Sequence, residues 1–235
     1  MNHRLQAVLD IALPERCVLC GRPLLGCRAG DFALCRYCCG DLQWLAEPRC
    51  CSCGAPLISE QQTCLDCRER CHGFDLHRSA FGYDFRVAEL LHCFKADGVP
   101  SLARFCAQAL LKLYHQLCDG ALLVPVPGHP SATRRRGWDQ AHRICRCMRQ
   151  ADGVAVCAAL RRDRTRHQKE LGLVERQQNL RGRIRLAVDP ALIAGSSVVL
   201  IDDVYTTGAT LDACSEALRP AGVVSIWALT VAMDL

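Results

Sequence analysis

The fold is decided by the stretch Ser197-Val198-Val199-Leu200-Ile201-Asp202-Asp203-Val204-Tyr205-Thr206-Thr207-Gly208-Ala209-Thr210. Its apolar, β-branched first half predicts a buried strand. Two carboxylates end that strand, a loop of threonine and glycine follows, and residues 211–218 have a helical pattern. In open α/β sheets ligands bind where strands end and helices begin, so we expect a binding site at this junction.

The loop suits a phosphate group, and the two acids suit a sugar. Amide groups at a helix N-terminus bind phosphate, and Gly208 allows the backbone to approach closely. Threonine hydroxyls add hydrogen bonds, while Asp202 and Asp203 can accept from two ribose hydroxyls. The order of residues resembles the phosphoribosyl pyrophosphate (PRPP) motif of type I phosphoribosyltransferases. It is not a P-loop, because no Gly-Lys-Ser/Thr follows. The alternative is a buried strand with an acidic turn that caps the next helix.

The composition indicates a globular protein without a membrane anchor. A chain of 235 residues, half of them hydrophobic, can form one medium domain and one small domain. It has no apolar run of about 18 residues and no pattern typical of a signal peptide. We therefore expect a cytoplasmic protein that does not insert into a membrane.

Positive charge is concentrated in one part of the chain. The net charge is +5, but the segment from Ser131 to Arg185 contains 15 basic and 5 acidic residues, a local charge of +10. The remainder is therefore −5. This asymmetry favours an anionic ligand near the basic segment.

Cysteine is the outlier of the composition, with 19 residues. In a reducing compartment clustered thiols more often bind metal than form disulfides. Four Cys-x-x-Cys pairs occupy the N-terminal third, and Cys-x-x-Cys-Gly-x-Pro occurs twice about 33 residues apart. Each pair can supply two ligands of a tetrahedral zinc site.

We expect two structural zinc ribbons in series, with an interleaved pairing as the alternative. The first would use Cys17, Cys20, Cys35 and Cys38, and the second would use Cys50, Cys53, Cys64 and Cys67. A redox role is less favoured, because no thioredoxin-like βαβ pattern surrounds the pairs. The remaining cysteines are interpreted as bystanders or small buried hydrophobes, and none is assigned a catalytic role.

Beyond a boundary near Gly73, the pattern alternates strands and helices. Strands are predicted at 80–83, 121–127, 154–160, 184–188 and 223–231. Helices are predicted at 87–94, after an N-cap at Ser101, and from about Gly137. A short amphipathic helix is predicted before Pro14. Lys95 is interpreted either as a solvated charge at a helix end or as a phosphate contact.

Two basic segments could contact a pyrophosphate. Arg134, Arg135 and Arg136 precede the predicted helix start, where cations and helix amides would converge on an anion. The polar stretch from Arg161 to Asn179 is long for a loop in a compact domain, which favours a mobile lid. Solvated basic loops are the alternative in both cases.

Taken together, the chain resembles the ComF family, which includes the GntX proteins. The resemblance rests on the paired cysteine knuckles and on Lys95, Val124-Pro125-Val126-Pro127, Arg136-Gly137-Trp138-Asp139-Gln140-Ala141, Arg161, Thr165, Gln168, Leu171, Arg176, Asn179 and Asp202 through Gly208. It implies a double zinc ribbon at 1–75 and a type I phosphoribosyltransferase-like α/β domain at 76–235, with a mostly parallel sheet flanked by helices. The family usually has Asn where this chain has Asp139, and a carboxylate there would repel pyrophosphate.

The resemblance implies a role in natural transformation, the uptake of single-stranded DNA. We expect PRPP to bind with Mg²⁺, in a phosphoribosyltransferase, a kind of glycosyltransferase, whose acceptor is unidentified. Asp202 and Asp203 would be catalytic, and the lid would contribute Arg161, Gln168 and Arg176. The PRPP contacts would be Thr206, Thr207, Gly208, Ala209, Thr210, Arg135, Arg136 and Lys95. The alternative is a competence factor that binds single-stranded DNA without catalysis, and other competence proteins are candidate partners.

Overall fold

The computed structural model describes residues 15–24, 32–58, 61–96, 98–163 and 182–235. The N-terminal helix expected before Pro14 lies outside these ranges. The described elements, in chain order, are α1 (Arg36–Asp41), α2 (Leu65–Glu69), β1 (Leu76–Gly82), α3 (Phe85–Ala96), α4 (Pro100–Leu117), β2 (Leu122–Pro125), α5 (Pro130–Arg136), α6 (Gln140–Asp152), β3 (Leu160–Arg162), β4 (Ile184–Leu186), β5 (Ser197–Tyr205), α7 (Ala209–Leu218) and β6 (Ser225–Met233).

The central sheet is parallel, as expected. Its four strands are ordered β1-β6-β5-β2, and each neighbouring pair runs in the same direction. The strands β3 and β4 form a separate antiparallel pair. All four parallel strands therefore present their carboxyl ends at one edge, where ligands bind in folds of this class.

Both faces of the sheet are covered, so its central strands are apolar on both sides. In β5, Val199 and Ile201 belong to the core formed with α3, α4 and α6. Val198 and Leu200, one residue out of step, belong to the core formed with α7 and the β3–β4 pair. Successive side chains of this strand point to opposite faces and pack into two different cores. For this reason the run lacks polar residues until Asp202.

The cysteine-rich N-terminal part closes the β1 edge of the sheet. Leu45 donates its amide to the carbonyl of Ala80, and His77 donates its amide to the carbonyl of Ser52. The second knuckle approaches so closely that a Cβ on Gly54, which has φ +75°, would lie 2.5 Å from the His77 carbonyl oxygen. Only glycine fits that position, and the outer edge of β1 is not left open.

Three local expectations are wrong. Helix α4 is capped by Val99 and begins at Pro100, so Ser101 is not the N-cap. Proline suits the first helical position because its missing N–H has no partner there. The strand expected at 154–160 is reduced to one bridge between Val156 and Leu123, followed by the short β3.

The third concerns Arg134, Arg135 and Arg136, which were expected in a loop just before a helix start. They do not lie in a loop. They form the last turn of α5, and the next helix begins only at Gln140. Pro130 starts α5, and Gly137, with φ 76°, ends it.

Candidate binding site at the carboxyl edge of the sheet

Strand β5 continues past the two acids and ends at Tyr205. Its pairing with β6 extends to that end, with Asp202 opposite Thr230, whereas pairing with β2 stops at Ile201. The acids therefore lie where β5 has lost one neighbour, beside the segment that follows β2. The missing neighbour leaves an opening in the sheet, and Asp202 and Asp203, both half-buried, lie at that edge.

The two carboxylates differ in their surroundings, because successive residues of a strand face opposite sides of the sheet. Asp203 forms an ion pair with Lys95, whose Nζ lies 2.9 Å from its Oδ2. Asp202 accepts the amide of Asp203 at 2.8 Å. Burial and the neighbouring charge of Asp203 raise the pKa of Asp202 well above its usual range. A cation or sugar hydroxyls at this place would relieve that cost of ionisation.

Lys95 therefore has a specific partner rather than a merely solvated position. It lies near the end of α3, on the same side of the sheet as Asp203, and its side chain is 37% exposed. Its ammonium can reach an anion in the opening while it neutralises Asp203.

The Thr/Gly loop, Thr206–Thr210, connects β5 to α7. Gly208 is the N-cap with φ 75°, and no side chain caps the helix. The amides of the first turn have no intrahelical acceptor, so they can bind an anion. Thr206 and Thr207 are exposed, and Ala209 and Thr210 are half-buried. The loop and both acids thus share one edge, as the sequence predicts.

Asp139 closes the other side of the opening as a structural acceptor. Its Oδ1 accepts the His142 amide at 3.1 Å, and its Oδ2 accepts the Gly128 amide at 2.8 Å. It thereby caps α6 and fixes the turn after β2. Its charge also contributes to the raised pKa of Asp202, after the larger effects of burial and Asp203.

The arginines around the site are distributed unevenly. Arg135 is exposed, and Arg136 donates its Nε to the carbonyl of Ala132 at 3.3 Å. In β3, Arg161 is exposed, whereas the half-buried Arg162 interacts electrostatically with Asp202. Gln168 and Arg176, the other two expected lid residues, lie outside the described residues.

Sequence reasoning missed Arg162 and the pair His72 and Asp212 next to the loop. Alternation in a strand predicts that Arg161 and Arg162 face opposite sides, but only the packing shows which one turns inward. Asp212 carries a detectable signal, since it is an acid in the first turn of the helix that follows the loop. His72 carries none.

The eight paired cysteines form two groups, in series as expected. Within each group the sulfur atoms lie within 4.8 Å of one another; the groups are Cys17, Cys20, Cys35 and Cys38, and Cys50, Cys53, Cys64 and Cys67. Four zinc–sulfur bonds of about 2.3 Å place the sulfurs about 3.8 Å apart. The Cys20–Cys35 and Cys53–Cys64 distances, 3.7 and 3.5 Å, fit this geometry. With four thiolates and no open position, both are structural zinc centres.

The comparisons with known proteins agree with this architecture. The model of the double zinc ribbon domain family matches residues 8–68. Competence protein F of Haemophilus influenzae is 30% identical, over 91% of this chain and 96% of that protein. Competence protein ComFC of Streptococcus pneumoniae is 26% identical over 88% and 94%. The DNA utilization protein YhgH of Escherichia coli K12 is 25% identical over 93% and 98%.

Solved structures resemble only part of the chain. An adenine phosphoribosyltransferase from Rhodothermus marinus has a TM-score of 0.36 and 17% identity, over 58% of this chain and 82% of that chain. The allosteric regulatory enzyme of purine biosynthesis has a TM-score of 0.38 and 18% identity, over 56% of this chain but only 26% of that one. Likenesses of this extent do not bear on activity.

Among the described residues, no helix is both long enough and apolar enough to cross a membrane. The full-length relatives span both regions of the chain, the double zinc ribbon at 8–68 and the parallel sheet that begins at Leu76. Since Competence protein F is 30% identical over nearly all of both proteins, this chain belongs to the ComF family of competence proteins.

Proposed function

We propose that the opening at the carboxyl edge binds PRPP together with Mg²⁺. The observation that carries the proposal is the uncapped start of α7 at Gly208, joined by one short loop to the acid pair on β5. A helix start without a side-chain cap leaves its amides for an external anion, and the acids are placed for the attached sugar. One strand–loop–helix unit would therefore bind both the phosphate and the ribose of a single ligand.

Each end of PRPP has a matching group in this arrangement. The 5′-phosphate would bind to the Thr/Gly loop, and the ribose hydroxyls would donate to Asp202 and Asp203. The pyrophosphate would lie toward Lys95, Arg135 and Arg136. Carboxylate and phosphate oxygens are the ligands that Mg²⁺ prefers, so Mg²⁺ would accompany PRPP and neutralise part of its charge.

A transferase reaction at this site would break the bond between the ribose C1 carbon and pyrophosphate and form a bond from C1 to an acceptor nucleophile. Positive charge develops on the sugar ring during such a step, and the two carboxylates would stabilise it. Lys95 and the arginines would stabilise the departing pyrophosphate. We infer this reaction class without assigning the acceptor. We also propose that the chain has two domains, a double zinc ribbon at 1–75 and a phosphoribosyltransferase-like domain at 76–235.

Isothermal titration calorimetry with PRPP and Mg²⁺ tests the proposal. We expect saturable binding that Asp203→Asn weakens at least tenfold. Asp41→Asn is a matched control, because Asp41 pairs with Arg86 on the same helix that carries Lys95. Its pair is exposed and lies at the other end of α3, so affinity should be unchanged. Absence of heat at saturating PRPP and Mg²⁺ would reject the function.

A second candidate, single-stranded DNA binding, is favoured by the basic surface near α5 and α6. Arg143 lies over the ring of Trp138, with its guanidinium 4.5 Å from the ring centroid, beside the exposed Arg134 and Arg135. Arginine–aromatic surfaces and a local charge of +10 suit a flexible polyanion. Binding of an oligothymidine that weakens steeply with salt would support it, and salt-independent or absent binding would exclude it.

These two activities are compatible with one biological role. Three relatives are named for competence or for DNA utilization. We propose that this protein likewise supports natural transformation, in the cytoplasm and with other competence proteins as partners. Loss of transformation after deletion of the gene, with restoration by the wild-type chain but not by Asp203→Asn, would connect the pocket to that role.

A further inference from the structure

The segment that leaves the second zinc centre, Arg70–Gly73, contacts the helix that begins at the Thr/Gly loop. Asp212, in the first turn of α7, accepts the Gly73 amide at 2.9 Å and Arg70 Nη2 at 2.6 Å. His72 Nδ1 lies 3.1 Å from the same carboxylate. These partners, together with the charge of Arg70, hold the pKa of Asp212 below its usual range, although burial acts to raise it. The carboxylate is therefore an ionised anchor between two parts of the chain.

His72 also supports the loop itself. Its side chain is 4% exposed, and its Nε2 lies 3.4 Å from the Tyr205 hydroxyl. A Cβ on Gly208 would lie 3.0 Å from His72 Cε1 and 2.9 Å from that hydroxyl. The backbone of the loop thus rests directly on these two side chains, and a shift of His72 would move or release the Gly208 turn.

A second connection runs from the zinc ligand Cys53 to the end of β5. His77 Nδ1 is hydrogen-bonded to the Cys53 carbonyl at 2.6 Å, and its Nε2 lies 2.9 Å from Thr230 Oγ1. Thr230 is the register partner of Asp202. The His77 ring stacks on Tyr205, with the ring centroids 4.2 Å apart. The fully buried His77 therefore links the knuckle to the strand that bears the acids.

The first zinc centre has a different environment. Cys17, Cys35 and Cys38 pack into the core on the α3 and α4 side of the sheet. Cys50 and Cys53 pack into the opposite core, which also contains Tyr205 and Leu211. Among the described residues, the second centre and not the first shares a core with Tyr205 and Leu211, which flank the Thr/Gly loop.

We propose that His72 and Asp212 are positioning residues for the sugar-phosphate site, and that the second zinc centre holds them in place. Phosphate affinity then depends on the second centre more than on the first. The inference rests on the proposed function, since it assigns the Thr/Gly loop to the 5′-phosphate. It adds a structural reason for the zinc ribbon to be part of a PRPP-binding chain.

The first test separates the two ends of the ligand. His72→Ala should weaken ribose 5-phosphate binding about tenfold, because a buried hydrogen-bonded support of the loop is lost. Magnesium pyrophosphate, which does not contact the loop, should bind within twofold of wild type. His72→Asn can place its amide nitrogen where Nδ1 lies and should recover most of the affinity. Equal weakening of both ligands, or no weakening, would overturn the inference.

A matched control uses Asp75, two residues beyond that segment, which is linked to the residue that follows α7. Asp75 accepts from Arg219 beyond the C-terminus of α7 and from the Ile226 amide, far from the loop. Asp75→Asn should leave binding of both ligands within twofold of wild type. A loss equal to that of His72→Ala would show that any loosening of the junction weakens the site.

The second test compares the two zinc centres. Cys67→Ser and Cys20→Ser each remove one ligand, and zinc content per chain measures the loss. Cys67→Ser should weaken ribose 5-phosphate binding more than Cys20→Ser does, and it should speed amide hydrogen exchange in 206–212. Equal effects would overturn the inference. The exchange measurement needs no ligand, so failure of wild type to bind would reject the proposed function while the link to the zinc centre is still tested.

Discussion

Asp139→Asn is expected to lower stability and to strengthen anion binding at the same time. The structure shows the carboxylate accepting from three donors, the amides of His142 and Gly128 and, at 3.5 Å, the hydroxyl of Thr133. Asparagine offers one acceptor oxygen, and its NH₂ group would face a donor. Asparagine caps helices about as well as aspartate, so the bond to the His142 amide should persist and the bond to the Gly128 amide should be lost.

The two effects can be sized separately. Loss of this partly buried hydrogen bond costs about 1 kcal/mol, which lowers the melting temperature by roughly 2–4 °C in a chain of this size. Removal of the charge also eliminates one cause of the raised pKa of Asp202. Like charges about 4 Å apart repel by about 1 kcal/mol in water and by about 4 kcal/mol near a protein surface, and the repulsion falls as the distance grows. Without the Asp139 charge, pyrophosphate should therefore bind several-fold more tightly.

Thermal unfolding of the zinc-loaded protein and calorimetry with magnesium pyrophosphate measure these effects. Asp189→Asn is the control, because Asp189 also accepts a backbone amide, that of Ala191, at 3.0 Å in an exposed turn. The control should change the melting temperature less than Asp139→Asn and should not affect binding. If Asp139→Asn left the stability unchanged, the argument that both carboxylate oxygens accept hydrogen bonds would be refuted. If it weakened pyrophosphate binding, the argument from charge repulsion would be refuted.

Three further changes have defined outcomes. Asp202→Asn should raise the melting temperature at neutral pH, because the raised pKa means that ionised Asp202 opposes folding, and the gain should vanish in thermal scans below about pH 4. Lys95→Met leaves Asp203 without its partner and should lower the free energy of unfolding by roughly 0.5–1 kcal/mol in urea titrations, with an unchanged value contradicting the ion pair. A strong chelator should release zinc and abolish the circular dichroism of the N-terminal part, and retained structure would contradict a structural role.

The strand–loop–helix unit and the zinc clusters could be predicted because their signals are local. The run Val198–Ile201, the acids and Gly208 are adjacent in sequence, and each has a distinct chemical requirement. The cysteine spacing likewise encodes the two centres. The spacing did not decide between serial and interleaved pairing of the knuckles. The distances between sulfur atoms show that the pairing is serial.

The errors arose where neighbouring elements compete for the same residues. The arginines at 134–136 are equally suited to a loop or to a helix end, and Pro130 and Gly137 decide in favour of a helix. Ser101 is a good N-cap by type, yet Pro100 moves the helix start two residues earlier. The inward side chain of Arg162 and the partnership of His72 with Asp212 depend on contacts between distant segments, for which the sequence has no local signal.

The hydrogen bonds of Leu45 and Ser52 to β1 have a practical consequence for dissecting the protein. A fragment that starts at residue 76 would expose the outer edge of β1 as an unpaired row of amides and carbonyls. Such a fragment is expected to self-associate through that edge when expressed alone. Insolubility of this truncation would therefore report a missing lateral neighbour, and it should not be taken as evidence that the α/β part is intrinsically unable to fold.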